Sequence, residues 1–283
     1  MKYKQMFIAQ LLILFLFCAA ICVYKADTGQ QSPILPEPLL LDETAVRSLA
    51  PKSEEEFRNA FEYAAANHLS TLSFTYPCEA VQDIPVQQIF QTLRNTQNVC
   101  RYELPEYFVY RNSLSSSIRY SRNELTVTLS WPYTEEAKAK EAEALSYARG
   151  VLAGLYGDGS LTRDMTQRQR AQALLRWLID HAEYDAAVTD CHSAWSIFKS
   201  GKGVCDAFTG AYNLLLKLDG IQCRGQNGAM LDGTLHLWTV AVLDGAEVHI
   251  DSTWTNSKGD ANSYFALTAE EMAKDHVWEG MTE

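Results

Sequence analysis

The chain has 283 residues, 47% of them apolar and 21% charged, with a formal net charge of −11. That length exceeds the roughly 100–200 residues of one ordinary domain and the composition is that of a folded protein, so extensive disorder is excluded and two globular parts are expected. The negative charge, with no local cluster of Lys and Arg to outweigh it, excludes nucleic acid as a partner.

Residues 6–24 form the one long apolar run, interrupted by Gln10 and preceded by Lys2 and Lys4. A charged start followed by such a run predicts a signal peptide or an N-terminal membrane anchor over residues 1–24. The body of the protein is then extracytoplasmic, either membrane-anchored through that segment or secreted. A lipid-attached terminus fits less well, because bulky Phe17 and Ile21 precede Cys18 and Cys22. Residues 25–52, with Pro33, Pro36 and Pro38 closely spaced, read as a Pro-rich linker.

Ser53 followed by Glu54, Glu55 and Glu56 is a capping-box start, and Phe57, Ala60, Phe61 and Ala64 recur at helical spacing, so a helix is expected to about residue 67. Leu72, Phe74 and Tyr76 alternate with polar residues in a strand over 69–76, and Pro85 opens a second helix toward Arg94. Strands are expected at about 101–110, 116–120 and 124–131, the last two joined at Ser121-Arg122-Asn123. Residues 53–133 thus form a small α+β domain. Residues 134–283 form the second part, which opens with a helix from Thr134 to about Gly157 and another over 164–181 bearing Leu174, Leu175, Leu178 and Ile179.

Around Cys205 the sequence is GKGVCDAFTGAYNLLLKLDGI: glycines before the cysteine and an apolar helical pattern after it. Cys205 therefore falls at a helix N-terminus, where the helix dipole and free N–H groups favour the reactive thiolate. A strand from Ile221 to about residue 228 follows, then alternating runs over 234–243 and 247–253 joined by Asp244-Gly245, a strong hairpin signal. A two-residue turn there pairs Leu243 with Ala246 and sets Asp251 opposite Trp238, diagonal to His236 and on the same face. A slip of one residue would separate His236 from Asp251. A thiol, an imidazole and a carboxylate so arranged are the parts of nucleophilic acyl transfer, with Cys205 as nucleophile, His236 as base and Asp251 as orienting acid. His249 lies on the same face and is a rival imidazole, expected to be exposed or to support the site from behind.

The chain resembles the transglutaminase-like superfamily over about residues 181–276. The resemblance is carried by Tyr184-Asp185, HSAWSIF from His192, GKGVC ending at Cys205, the Gly220-Ile221 break, His236 with Trp238, the Asp244-Gly245 turn, Asp251-Ser252-Thr253-Trp254 and the run YFALTAEEMAKDH from Tyr264. It implies a papain-like α+β core, with a nucleophile-bearing helix packed on an antiparallel sheet. It also implies a Cys-His-Asp triad acting on carboxamides or peptide bonds, and neither metal nor organic cofactor. The sequence departs from the family where Asp206-Ala207-Phe208 follow the cysteine and where Thr239 follows Trp238.

Trp195 and Trp238 are candidates for lining a substrate site, with core packing as the competing role. The histidines lack metal-ligand spacing, so no metal site is expected. Cys78 with Cys100, and Cys191 with Cys223, are the disulfide pairs that respect the domain boundaries; other pairings, or buried free thiols, stay open. The function expected is thiol-dependent acyl transfer or hydrolysis on peptide or protein substrates, cell-wall peptides among them. The alternative is a catalytically inactive transglutaminase-like binding or scaffolding module at the cell surface. Both cores lie beyond the linker, so a chain beginning at about residue 53 is expected to fold and unfold cooperatively in water. An insoluble or molten product, from a full-length protein that is folded in detergent, would refute that boundary.

Overall fold

Helix α1 (Glu54–Ala66) begins at the expected capping box: Ser53 Oγ accepts from the Glu56 N–H at 3.2 Å, and Glu56 Oε2 accepts from the Ser53 N–H at 3.2 Å. The structure is a computed structural model, and it describes residues 51–77, 91–92, 104–107, 115–120 and 124–278. The apolar segment of residues 1–24, nearly all of the linker, most of the helix expected from Pro85, and both Cys78 and Cys100 lie outside the described residues. Among the described residues no helix is long and apolar enough to cross a membrane.

The apolar face of α1 shares a core with a three-stranded antiparallel sheet of β1 (Thr71–Pro77), β2 (Ser115–Tyr120) and β3 (Glu124–Ser130), in the order β1-β3-β2. Leu72 pairs with Leu129, Phe74 with Val127 and Tyr76 with Leu125, so alternate residues of two strands form one buried face. Phe57 meets Phe74 edge-to-face at 5.7 Å, while Ser73 and Thr128 share a hydrogen bond on the outer face. The strand expected over 101–110 fails at its described part. Residues 104–107 instead form a turn, closed by the Tyr107 N–H to the Leu104 carbonyl at 3.2 Å. Pro105 has no N–H to give a ladder, and its carbonyl presses on Gly210, where a Cβ would come within 2.8 Å.

Helix α2 (Glu135–Gly157) is capped by Thr134, and α3 (Gln167–His181) by a Thr166/Gln169 capping box, which moves its start from the expected 164. A short parallel pair, β4 (Glu183–Tyr184) and β5 (Lys202–Gly203), brackets α4 (Ala194–Ser200). Helix α5 (Cys205–Leu218) then packs on an antiparallel sheet of β6 (Cys223–Met230), β7 (Leu235–Leu243), β8 (Ala246–Ile250) and β9 (His276–Val277), in the order β8-β7-β6-β9. The fold is α+β.

Asp244 (φ 53°) and Gly245 (φ 86°) are both left-handed, as the two central residues of the tight hairpin turn require. The register runs from Leu243–Ala246 to Thr239–Ile250, as expected, and stops there. The strand expected to reach residue 253 is cut short because Asp251 caps helix α6 (Ser252–Lys258): its Oδ1 accepts from the N–H groups of Thr253 (2.9 Å) and Trp254 (3.0 Å). Helix α7 (Ala269–Met272) carries a further capping box from Thr268 and Glu271.

Cys205, Thr209 and Asn213 are spaced by four on one stripe of α5. The Thr209 hydroxyl lies 3.0 Å from the Leu237 carbonyl, and the buried Thr239 hydroxyl donates to Asn213 Oδ1 at 2.8 Å. These two bonds fix α5 along β7, and with it the position of Cys205 relative to His236.

At the other end of α5, Lys217 Nζ lies 2.7 Å from Glu62 of α1 and 2.6 Å from Glu106, whose side chain is 1% exposed. Burial pushes the Glu106 carboxyl up, and the ammonium beside it is the group that opposes the shift. Removing one partner of a buried pair costs about 3–5 kcal/mol, whereas replacing both can be neutral. Lys217→Met is therefore expected to lower the urea midpoint strongly, and Lys217→Met with Glu106→Leu to recover most of the loss. Equal midpoints for the single variant and the wild type would show that the pair contributes nothing.

Candidate functional site

Asp251 is completely buried, and an unpaired charge there would be prohibitively costly. Its Oδ1 is taken by the two α6 N–H groups, and its Oδ2 lies 2.7 Å from His236 Nε2 and 3.1 Å from His276 Nε2. Burial alone would raise this carboxyl. The bonds from His236 and His276, then the charge of His236 and the Trp254 N–H, overcome it and hold the group at about 2.

His236, 7% exposed, uses Nε2 for Asp251, and Cys205 is the other side chain that acts on its charge. Burial disfavours its charged form, but the bonds to Asp251 and Cys205 raise it to about 10. Cys205, half-buried, opens α5. The three residues expected to form the site are thus brought together, with Asp251 at the end of its strand rather than within it.

The acid beside the thiol has its own partner. Asp206 lies 3.0 and 3.1 Å through its two oxygens from Nδ1 of the exposed His192. Tyr184, half exposed, has its hydroxyl raised first by burial and then by the charges of Cys205 and Asp206.

Trp238 is corrected as a substrate-binding candidate. It has no exposed surface, it stacks behind His236 at 6.1 Å, and its Nε1 donates to His249 Nδ1 at 2.9 Å. His249 is 4% exposed rather than open to solvent. Burial, then Arg224 and His276, lower it to about 4, and it holds Trp238 instead of rivalling His236. Trp195 lies against α2, donating to Glu143 Oε2 at 2.6 Å with Lys140 and Lys199 over its ring.

Cys191 and Cys223 are free, so their expected disulfide is also corrected. The Cys191 carbonyl accepts from the Val204 N–H at the start of α5, whereas Cys223 Sγ donates to the Asn213 carbonyl at 3.6 Å. Those two points on α5 are roughly 13 Å apart along the helix axis, against the ~4–7 Å between α-carbons that a disulfide spans.

His276 is the residue the sequence reading missed. Strand β9 adds to the edge of β6, setting His276 opposite Met230, two residues from Gly228, which faces His236. Period-two alternation then puts both imidazoles on one face. A methyl at Gly228 would overlap the Trp238 ring and the Val277 carbonyl, so only glycine fits there. The only local signal was Asp275-His276 at the end of a run whose pairing partner lies far away in sequence.

His236, Asp251 and His276 offer ligand atoms within 4.8 Å of one another, the one such group among the described residues that could hold a metal ion. At 2.7 and 3.1 Å those atoms already satisfy each other as hydrogen-bond partners. A separate groove of about 770 Å³ between α2 and α3, lined in part by Leu155, Met165, Arg176 and Trp177, includes none of the site residues.

Residues 158–266 match the family model of the Transglutaminase-like superfamily. That part of the chain is similar to transglutaminase-like proteins, and its helix on an antiparallel sheet is that of an α+β fold with a papain-like core. Kyphoscoliosis peptidase of Homo sapiens is 29% identical over 105 residues, 31% of this chain and 16% of that relative, so the chain spans less than a fifth of the relative's length. A structure from Cytophaga hutchinsonii described as a cysteine protease candidate covers 57% of this chain and 68% of its own, at 12% identity and a TM-score of 0.34. The periplasmic domain of TgpA from Pseudomonas aeruginosa, bound to ethylmercury, covers 50% and 65% at 15% identity and a TM-score of 0.30.

The coupling of His236 to Asp251 has a stability consequence with a definite sign. His236 is raised above its ordinary 6.5, so its contribution is full below about 6.5 and is lost as pH rises through about 10. Asp251 is lowered from 3.8, so the same interaction is lost as pH falls through about 2. Urea midpoints measured from about pH 6.5 to pH 10 are expected to fall more steeply for the wild type than for His236→Gln. Parallel curves would show that the imidazole gains nothing from the fold.

Proposed function

We propose that the chain is a thiol-dependent acyl-transfer or hydrolytic enzyme acting on peptide amides or carboxamides, with Cys205 as nucleophile, His236 as base and then acid, and Asp251 as orienting carboxylate. The observation that supports this reading is the 2.7 Å bond from His236 Nε2 to buried Asp251, on an imidazole whose charged form is also favoured by Cys205 at the start of α5. An imidazole anchored at Nε2 keeps one tautomer and presents Nδ1 to the thiol.

With the thiol proton already held by His236, the sulfur electron pair forms a bond to the carbonyl carbon while the C=O pair moves onto oxygen. The backbone N–H of Cys205, at the open end of its helix, is the candidate donor to that oxyanion. As the tetrahedral centre collapses, the C–N bond breaks and His236 gives its proton to the leaving nitrogen. Water or an amine then attacks the thioester, His236 takes the proton, and cleavage of the C–S bond returns the thiolate.

An extracytoplasmic position, supported by the charged start and apolar run of residues 6–24, makes cell-wall peptides or surface proteins the fitting substrates.

Iodoacetamide alkylation of Cys205 at about pH 6, followed on its own peptide, tests the assignment, because an ordinary thiol is mostly protonated there. Cys205→Ala abolishes the label. His236→Ala is expected to slow it by about a hundredfold, on the order of a lost general base, and Asp251→Asn by less. His249→Gln leaves it nearly unchanged. A Cys205 that labels as slowly as an unpartnered thiol, indifferent to His236, would favour the noncatalytic scaffold instead.

A further inference from the structure

Asp251 Oδ2 has two imidazole partners, and the proposed chemistry uses only one of them. The second, His276, has no exposed surface, and each of its ring nitrogens faces a carboxylate: Nε2 lies 3.1 Å from Asp251 Oδ2 and Nδ1 lies 2.6 Å from Asp275 Oδ1. Asp275 in turn accepts from the Tyr264 hydroxyl through Oδ2 at 2.5 Å. Its own carbonyl accepts from the Leu231 N–H, which ties the residue to the end of β6. The ring is enclosed by Trp238 at 4.9 Å, His236 at 5.5 Å, Trp254 at 5.7 Å and Tyr264 at 5.8 Å.

Ionised carboxylates only accept, so an imidazole nitrogen that bonds one must donate to it. The bonds at the ionised Asp251 therefore have a direction: His236 and His276 each donate to it through Nε2, while Tyr264 donates to Asp275, whose other oxygen lies against His276 Nδ1. Without His276, Oδ2 would have one side-chain donor, and the carboxylate could pivot about the Oδ1 contacts to α6. With it, donors from β7 and β9 approach Oδ2 from different directions and fix where that oxygen sits.

We propose that His276 is a positioning residue for the Cys205 site: it holds Asp251 with Oδ2 toward His236, and is itself held by Asp275 and Tyr264. The proposal rests on the reading of Cys205 and His236 as nucleophile and base. A merely structural His276 would only keep β9 on the sheet, and a metal-ligating one would bind a divalent ion together with His236 and Asp251. These roles separate experimentally.

In the full-length protein, the rate of Cys205 alkylation at about pH 6 is measured with the thermal midpoint for the wild type, His276→Leu, His276→Gln, Tyr264→Phe and His236→Ala. His276→Leu is expected to slow labelling by about tenfold, the order of one charge-assisted hydrogen bond. His276→Gln, whose amide nitrogen still donates to Asp251, is expected to recover most of the rate. Tyr264→Phe gives a smaller loss in the same direction, and it serves as the reading if His276→Leu does not fold.

A folded His276→Leu that labels at the wild-type rate overturns the proposal, as does a folded His276→Gln that labels no faster than His276→Leu. A flat result for Tyr264→Phe overturns it where His276→Leu is unfolded. Stoichiometric uptake of added zinc that blocks labelling, and is lost in His276→Leu, would assign the cluster to a metal instead. A wild-type rate unaffected by His236→Ala removes the underlying reading, whereas a His236-dependent rate indifferent to His276 removes only this one.

Discussion

A fully buried carboxylate survives only where donors replace its lost water, and Asp251 has four: two backbone N–H groups of α6, His236 on β7 and His276 on β9. A hydrogen bond to a charged group is worth about 1.5–3 kcal/mol, so losing any one would leave a substantial part of the burial cost unmet. The turn from β8 into α6, the register of β7 and the docking of β9 are therefore conditions of a single charge. That constraint explains why β8 stops at Ile250: the next side chain is occupied as a helix cap and as the acceptor for two imidazoles.

The thiol is brought to this charge from the other side. Helix α5 carries Cys205 on the same stripe as Thr209 and Asn213, which bond to β7 on either side of Trp238. Gly210 lets the 104–107 turn lie against the helix, and Lys217 anchors its last turn to α1 and to Glu106. The first core thereby braces the helix that bears Cys205, through Glu62 and Glu106. Thr239, one of the two departures from the family pattern, is the β7 end of one of these bonds. Asp206, part of the other, has its carboxylate paired with His192.

What could be read from the sequence was local chemistry. The Asp244-Gly245 turn has only one comfortable hairpin geometry, so the register that joins His236 to Asp251 followed from two residues. Capping boxes at Ser53 and Thr268 depend on spacing alone, and of these the first was expected. The end of β8 was overread, because Asp251, Ser252 and Thr253 continue an alternating pattern that only the capping bonds interrupt. His276 was missed since its role depends on β9 joining β6 across more than forty residues of chain. Trp238 and the pair of Cys191 and Cys223 failed for a related reason: burial and position along α5 are properties of packing, and no spacing rule reports them. Even so, Cys205, His236 and Asp251 could be named as candidates, because each stands at a helix start or near a tight turn whose geometry is fixed locally.

The site depends on Asp251 accepting from two imidazoles through one oxygen. Nitrogen-15 NMR of histidine-labelled protein reads this directly, because protonated and unprotonated ring nitrogens resonate far apart. Nε2 of both His236 and His276 is expected to carry a proton, both N–H protons to be strongly downfield and slow to exchange, and both to move together in Asp251→Asn. An unprotonated Nε2 on either ring at neutral pH, or a His276 signal untouched by Asp251→Asn, would contradict it.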